Sequence, residues 1–315
     1  GHQKSRAEDS RKKEIEGLFK NIKPDPNIIK EGIEGLLKKD IPNYIILIAQ
    51  NGGYSGIRDG EIVNNSNTKL LVQSYQIEAR SDIKLPEVAI NYYWKDGNVL
   101  VPKISEIEAE TSRLIKTMES MVLKQKGCNV LKFDVKTSIG AENISVNIDY
   151  QAKVQDSSAD NGFRVFDYDF SEDLPLRLGK MHEAAAEYVA LIQKYHDPVP
   201  FYGIAHSSLL QEFKTQTILF DGKSALVITV SPTSVDVGVN DKSSLAGSGA
   251  IDKDSSIVVI KDEHSDLNGQ NLSFIFANHF NDGWVAKKVD YLCNAQNLSK
   301  SVASDFCKSF KLPAQ

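Results

Sequence analysis

Ile144, Val146, Ile148 and Tyr150 fall at every second position of one stretch, with polar residues between them. Successive side chains of a β-strand point to opposite faces, so this stretch must set one face against a core and the other in water. Residues 130 to 137 and Phe163 to Phe170 alternate in the same way, and the polar loop Gln155 to Gly162 precedes the last of these strands. The period then changes. Met181, Ala185, Tyr188, Val189 and Ile192 form one face of a helix over Leu178 to Tyr195. Strands in runs, broken by single helices rather than alternating strictly with them, predict an α+β fold. We expect N-terminal helices packed on antiparallel β-sheets, with a β-rich C-terminal region.

Local signals place the other elements. Asp25-Pro26 predicts a helix start, with Asp25 as N-cap and Pro26 in the first position. Ile29, Ile33, Leu36 and Leu37 follow at helical spacing, Pro42 is expected to kink or restart the helix, and Asn51-Gly52-Gly53 to end it. Residues 69 to 78 and 87 to 101 read as strands, and Asp96-Gly97 predicts a hairpin because its turn needs positive φ. Ser105 and Glu108 have the spacing of a capping box. A short helix is expected over Ser207 to Phe213. Strands are expected at 217–220, 225–230, 257–260 and 272–277, with a Ser, Gly and Asp linker over 240–256. The expected division is 1–25 as tag remnant and juxtamembrane helix, 26–200 as an α+β domain, and 201–315 as the β-rich region.

Composition narrows the function classes. The 315 residues carry a net charge of −5, which argues against a nucleic-acid partner held by overall positive charge. No run of about 18 apolar residues is present. Gly1-His2 reads as a tag remnant, so a native N-terminal segment is expected to be missing.

No constellation reads as catalytic or metal-binding, and no cofactor is expected. His182, Glu183 and Glu187 lack the second His of a zincin helix, which reads as a solvated face. Asp167, Asp169, Glu172 and Asp173 read as acids on the outer face of a strand, and Asp262 to Asp266 as an acidic turn. Neither has the ligand spacing of a calcium loop. His206-Ser207-Ser208 reads as a helix cap, and Tyr92, Tyr93 and Trp94 as core or cross-strand aromatics rather than a carbohydrate platform. Cys293 and Cys307 stand 14 residues apart and permit two readings: a disulfide that staples the C-terminal segment, or two reduced thiols. Asn64, Asn143, Asn271 and Asn297 each open an Asn-x-Ser sequon and are candidates for glycosylation.

Four stretches together carry a family resemblance. They are Ile33-Glu34-Gly35-Leu36-Leu37 running to Asn51-Gly52-Gly53-Tyr54, the tyrosine-rich hairpin Asn91 to Pro102, Leu176-Arg177-Leu178-Gly179, and Asp262 with Ser265, Leu267 and Gly269 leading to Phe274-Ile275-Phe276-Ala277. In this order, over residues 27 to about 280, the chain resembles an uncharacterised family of membrane-anchored extracytoplasmic proteins. That family belongs to small-genome archaea of the nanoarchaeal and woesearchaeal (DPANN) type. The resemblance implies an N-terminal membrane anchor, in some members pilin-like, and a domain displayed at the cell surface. It implies no catalytic residue. Family members often have Cys where Leu36 stands, a partner for the position of Cys128 that this chain lacks. The expected function is therefore a structural, adhesion or partner-interaction role at the archaeal cell surface, with its own anchor and other surface proteins as partners. The alternative is an extracytoplasmic enzyme or solute binder that uses the acids near Asp167 or Asp262. A cytoplasmic protein is the third reading, tied to reduced and separated Cys293 and Cys307.

Overall fold

A computed structural model describes residues 26–55, 57–58, 61–62, 69–73, 87–125, 129–156, 159–220, 225–230, 235–240, 253–267, 269–281 and 283–295. The expected capping by Asp25, the strand end at 74–78, the 1–25 segment and most of the 240–256 linker lie outside these residues.

In chain order the elements are helix α1 (Pro26–Gln50), strands β1 (Ile57–Arg58), β2 (Glu61–Ile62), β3 (Lys69–Gln73), β4 (Glu87–Lys95) and β5 (Asn98–Val99), and helix α2 (Ile104–Gln125). Then come β6 (Asn129–Ile139), β7 (Ile144–Gln155), β8 (Phe163–Leu174), α3 (Leu178–Tyr195) and α4 (Phe201–His206). The chain continues with β9 (Lys214–Phe220), β10 (Ala225–Val230), β11 (Val235–Asn240), β12 (Ser255–Leu267), β13 (Gln270–His279) and α5 (Trp284–Ala295). The fold is α+β, as the sequence predicts.

Two sheets carry the structure. β6, β7 and β8 form an antiparallel meander in which Tyr150 pairs with Phe133 on one side and Tyr168 on the other. The larger sheet runs β11-β10-β9-β12-β13-β4-β3, with β5 attached to β4, and only the β13–β4 pairing is parallel. It draws strands from both sides of residue 200. Helices α1, α2 and α3 fill the space between the sheets, and one continuous apolar cluster runs through Ile45, Ile115, Ile148, Tyr188 and Phe276. A second cluster, with Ile90, Ile218, Ile257 and Ile275, occupies the other face of the large sheet. β4 is therefore buried on both faces, which is why Tyr92, Tyr93 and Trp94 are consecutive and all buried. They are core residues, and Tyr93 stacks on Phe276 at 4.7 Å.

Three local expectations need correction. Pro42 does not break α1, which runs unbroken over 25 residues. Ile41 and Ile45 are both fully buried, and the Asn43 side chain donates to the Lys39 carbonyl at 3.4 Å. Packing on both sides of the proline thus holds the helix, although the Lys38 carbonyl four residues back loses its amide donor. α2 starts one residue before Ser105, so the capping box is displaced: Glu106 reaches back to the Lys103 amide at 2.7 Å, and Glu108 instead accepts from the Ile139 amide of β6. The helix expected over Ser207 to Phe213 divides into α4, which ends at His206, and a single 3-10 turn at Leu210–Glu212. The Ser207 hydroxyl accepts from the Leu210 amide at 3.0 Å, as a cap should. The Asp96-Gly97 hairpin is present, with φ of 51° and 86°.

Candidate binding cleft and the polar clamps around it

α3 ends at Tyr195, and His196 takes the left-handed conformation (φ 50°, ψ 44°) that closes a helix and turns the chain. Asp197 then accepts from the Val199 amide at 2.9 Å, which folds the Asp197-Pro198 turn back on itself. From below, the buried Tyr188 hydroxyl donates to the Pro198 carbonyl at 3.2 Å and meets the Thr217 hydroxyl of β9 at 2.7 Å. α4 follows at once and lies close on α3 because residue 203 is Gly. A Cβ there would stand 2.6 Å from a Leu191 methyl and 3.0 Å from the Tyr195 ring.

The opposite wall is α5. Val285, Val289 and Leu292 face the core, whereas Trp284, Lys287, Lys288 and Tyr291 fall at i, i+3, i+4 and i+7 on one neighbouring stripe. Between α5 and the α3–α4 turn lies an open cleft of about 680 Å³. Its rim is aromatic. Tyr202 is 66% exposed and Tyr291 60% exposed, with Tyr195 beside them edge-on to Tyr202 at 6.3 Å. Trp284 forms the inner end, stacked on Phe280 and met edge-on by His196 at 5.6 Å.

Lys288 is the polar centre of the cleft. It is 9% exposed, its ammonium lies 2.6 Å from Asp197 Oδ2, and it sits 3.9 Å from the centre of the Phe201 ring. Burial pulls its pKa below the ordinary lysine value, and the Asp197 carboxylate only partly restores it. Lys287, next to it, is exposed and has no ion-pair partner among the described residues. No sequence expectation covered this cleft. The i, i+3, i+4, i+7 spacing of Trp284, Lys287, Lys288 and Tyr291 was the available signal.

The acids singled out in the sequence are used differently. Asp262 is fully buried and receives both the Nε (2.9 Å) and the Nη2 of Arg177, the Ser265 hydroxyl at 2.5 Å, and the His264 amide at 3.1 Å. Burial pushes its carboxyl up, but these donors outweigh burial and hold it below the usual carboxylate range. Ser265 bonds Asp262 directly and His264 is 77% exposed, so no Ser-His-Asp relay exists here. Arg177 also donates to Glu212, which binds Lys180 at 2.7 Å. On β8, Asp167 and Asp169 face solvent as expected, and Asp169 lies in register with Asp149 and Asp134 across the meander. Among the described residues no three His, Cys, Asp or Glu side chains converge as a metal site.

His182 departs from the expected solvated face. Its ring packs edge-on against Tyr93 and Phe274, and its Nε2 donates to the Pro102 carbonyl at 2.8 Å, which ties α3 to the entry of α2. Burial lowers its pKa. Asn143 is exposed in the β6–β7 turn, and Asn271 is half-buried on β13 opposite Asp266. Asn64, Asn297, Cys128 and Cys307 lie outside the described residues. Cys293 is buried on α5 and disulfide-bonded. Among the described residues no helix is long and apolar enough to cross a membrane.

Comparison with protein-family models, curated proteins and solved structures returns no match for this chain.

Proposed function

We propose that this chain is a partner-binding domain of an archaeal cell-surface protein, displayed outside the cell by an N-terminal membrane anchor. The observation that carries the binding role is the cleft. It concentrates Tyr202 and Tyr291, two of the most exposed large aromatic side chains among the described residues, around about 680 Å³ of open space. Exposed aromatics gathered at a concavity are the composition of recognition surfaces. The acid that the alternative reading needed at Asp262 is committed to Arg177 and is sealed from solvent. Support for surface display comes from the four family-like stretches and from the disulfide at Cys293, a bond that persists in oxidising compartments. We assign Cys307 as its partner, because closing 14 residues staples the end of α5.

Surface display is tested by expressing the full gene in an archaeal host and treating intact cells with a membrane-impermeant amine-biotinylation reagent. Labelling in intact cells supports the reading. Labelling only after lysis contradicts it.

A further inference from the structure

The chemistry of the cleft also restricts its partner, and the argument rests on the partner-binding reading above. The polar groups around the cleft fall into two sets. Among the described residues that line it, the only carboxylate is Asp197, and both its oxygens are engaged, Oδ1 by the Val199 amide and Oδ2 by Lys288. What remains is the Trp284 indole N–H and the Lys287 ammonium, which can only donate, and the hydroxyls of Tyr195, Tyr202 and Tyr291 with the His196 ring, which can donate or accept. A ligand that fits offers acceptors to the indole N–H and the ammonium, and apolar faces to lie on the rings.

Two ligand classes fit the cleft less well. A quaternary ammonium or methylated lysine would be repelled by the Lys288 ammonium, which already lies 3.9 Å and 5.6 Å from the centres of the Phe201 and Tyr291 rings. Lys287 adds a further positive charge. A neutral glycan presents a donor at every hydroxyl, and the Asp197 carboxylate is already shared between the Val199 amide and the Lys288 ammonium.

A proline-rich segment meets every condition. Proline has no backbone N–H, so successive prolines present carbonyl acceptors and no main-chain donors. The polyproline II helix leaves those carbonyls pointing outward, and its ring faces pack on exposed aromatics at low entropic cost. The Lys288–Asp197 pair cancels its own charge, so Lys287 leaves the rim positive. An acidic residue flanking the prolines would pair with it. We propose that the cleft between α5 and the α3–α4 turn binds a proline-rich polyproline II segment with an acidic flank.

The chain has only two tryptophans, Trp94 and Trp284, and Trp94 is buried in β4, so the Trp284 indole resonance reports on the cleft. The test titrates ¹⁵N-labelled protein with a synthetic peptide of two aspartates followed by six prolines. The controls are an Asp-Asp peptide continued with Gly and Ser, an uncharged hexaproline, and maltohexaose. The expected result is a saturable shift of Trp284 with the Asp-Asp-proline peptide and none with the Gly/Ser peptide. Tyr202→Ala combined with Tyr291→Ala should weaken binding by about tenfold or more, as loss of aromatic anchors does. Lys287→Glu should weaken the acidic peptide several-fold more than it weakens hexaproline. Binding of the Gly/Ser peptide with equal affinity, or full retention in the double tyrosine variant, overturns the proposal. Saturation by maltohexaose with silent proline peptides also overturns it, but leaves the partner-binding reading standing. Silence toward all four ligands from a folded protein counts against both.

Discussion

The Arg177–Asp262 clamp and the Trp284–Tyr291 cleft are both polar–aromatic clusters beside α3, and they are built on opposite principles. In the clamp, Asp262 is fully buried and accepts from Arg177, Ser265 and the His264 amide. A buried polar network fixes geometry when all its members are satisfied. In the cleft, the rings of Tyr202 and Tyr291 face water. The first arrangement binds the chain to itself, and the second is open to something else.

The same contrast separates the four stretches singled out in the sequence from the cleft. Arg177 and Asp262 belong to two different stretches and meet across 85 residues of sequence. The other two stretches meet as well: the Asn91 side chain donates to the Gly52 carbonyl at 2.7 Å and its amide to the Asn51 carbonyl. Gly52, at φ 65°, passes so close to the Ile275 carbonyl that a Cβ would lie 2.9 Å away. Gly179 is needed because any side chain would strike the Gly140 carbonyl in the β6–β7 turn. These stretches are the fastenings of the scaffold. The α5 wall of the cleft lies beyond them.

The contrast can be broken in order of effect. Asp262→Ala leaves the Arg177 guanidinium largely buried and without its main partner, and should cost about 3–5 kcal/mol in urea unfolding. The cleft should be unaffected in whatever fraction stays folded. Gly179→Ala should cost about 1–3 kcal/mol from overpacking against a backbone oxygen that cannot move aside. Acid titration sharpens the comparison inside the fold. The Asp262 carboxyl lies below its ordinary 3.8, so the stability it contributes is present above that pH and is lost as pH falls through the folded value. Glu119 behaves in the opposite sense. Burial raises its pKa above 4.5 despite the 2.7 Å hydrogen bond from Tyr44, and its Oε2 has no partner. Its contribution is full below pH 4.5 and is lost as pH rises through the folded value. Against Glu119→Gln, the wild type should therefore gain stability as pH falls from 7 toward 4.5, measured from unfolding midpoints. The smallest effect is expected at the cleft: Tyr202→Ala and Tyr291→Ala should each change stability by less than about 0.5 kcal/mol.

Much of the scaffold was legible because local and long-range signals agree there. The alternation of Ile144 to Tyr150 marks a strand with one wet face, and β7 has one. Leu178 to Tyr195 is helical in both propensity and periodicity. Where the two signals conflict, the residues mislead. Pro42 forbids a helix locally, and Ile41 with Ile45 enforces one by burial. Glu119 occupies a core position of α2, between Ile115 and Leu123, which only the approach of Tyr44 from α1 explains. The cleft was hidden for a different reason. Its walls come from residues 195–202 and 284–291, and nothing in either stretch records that the other lies across from it.

The central claim is that the two clusters divide stability from recognition, and one paired measurement tests it. Urea unfolding and titration with the Asp-Asp-proline peptide are carried out on wild type, Asp262→Ala and the Tyr202→Ala, Tyr291→Ala double variant. The account requires Asp262→Ala to lose stability while its folded fraction keeps wild-type peptide affinity, and the double variant to keep its stability while losing about tenfold or more in affinity. A double variant that binds like wild type, or an Asp262→Ala protein that is as stable as wild type, would contradict it.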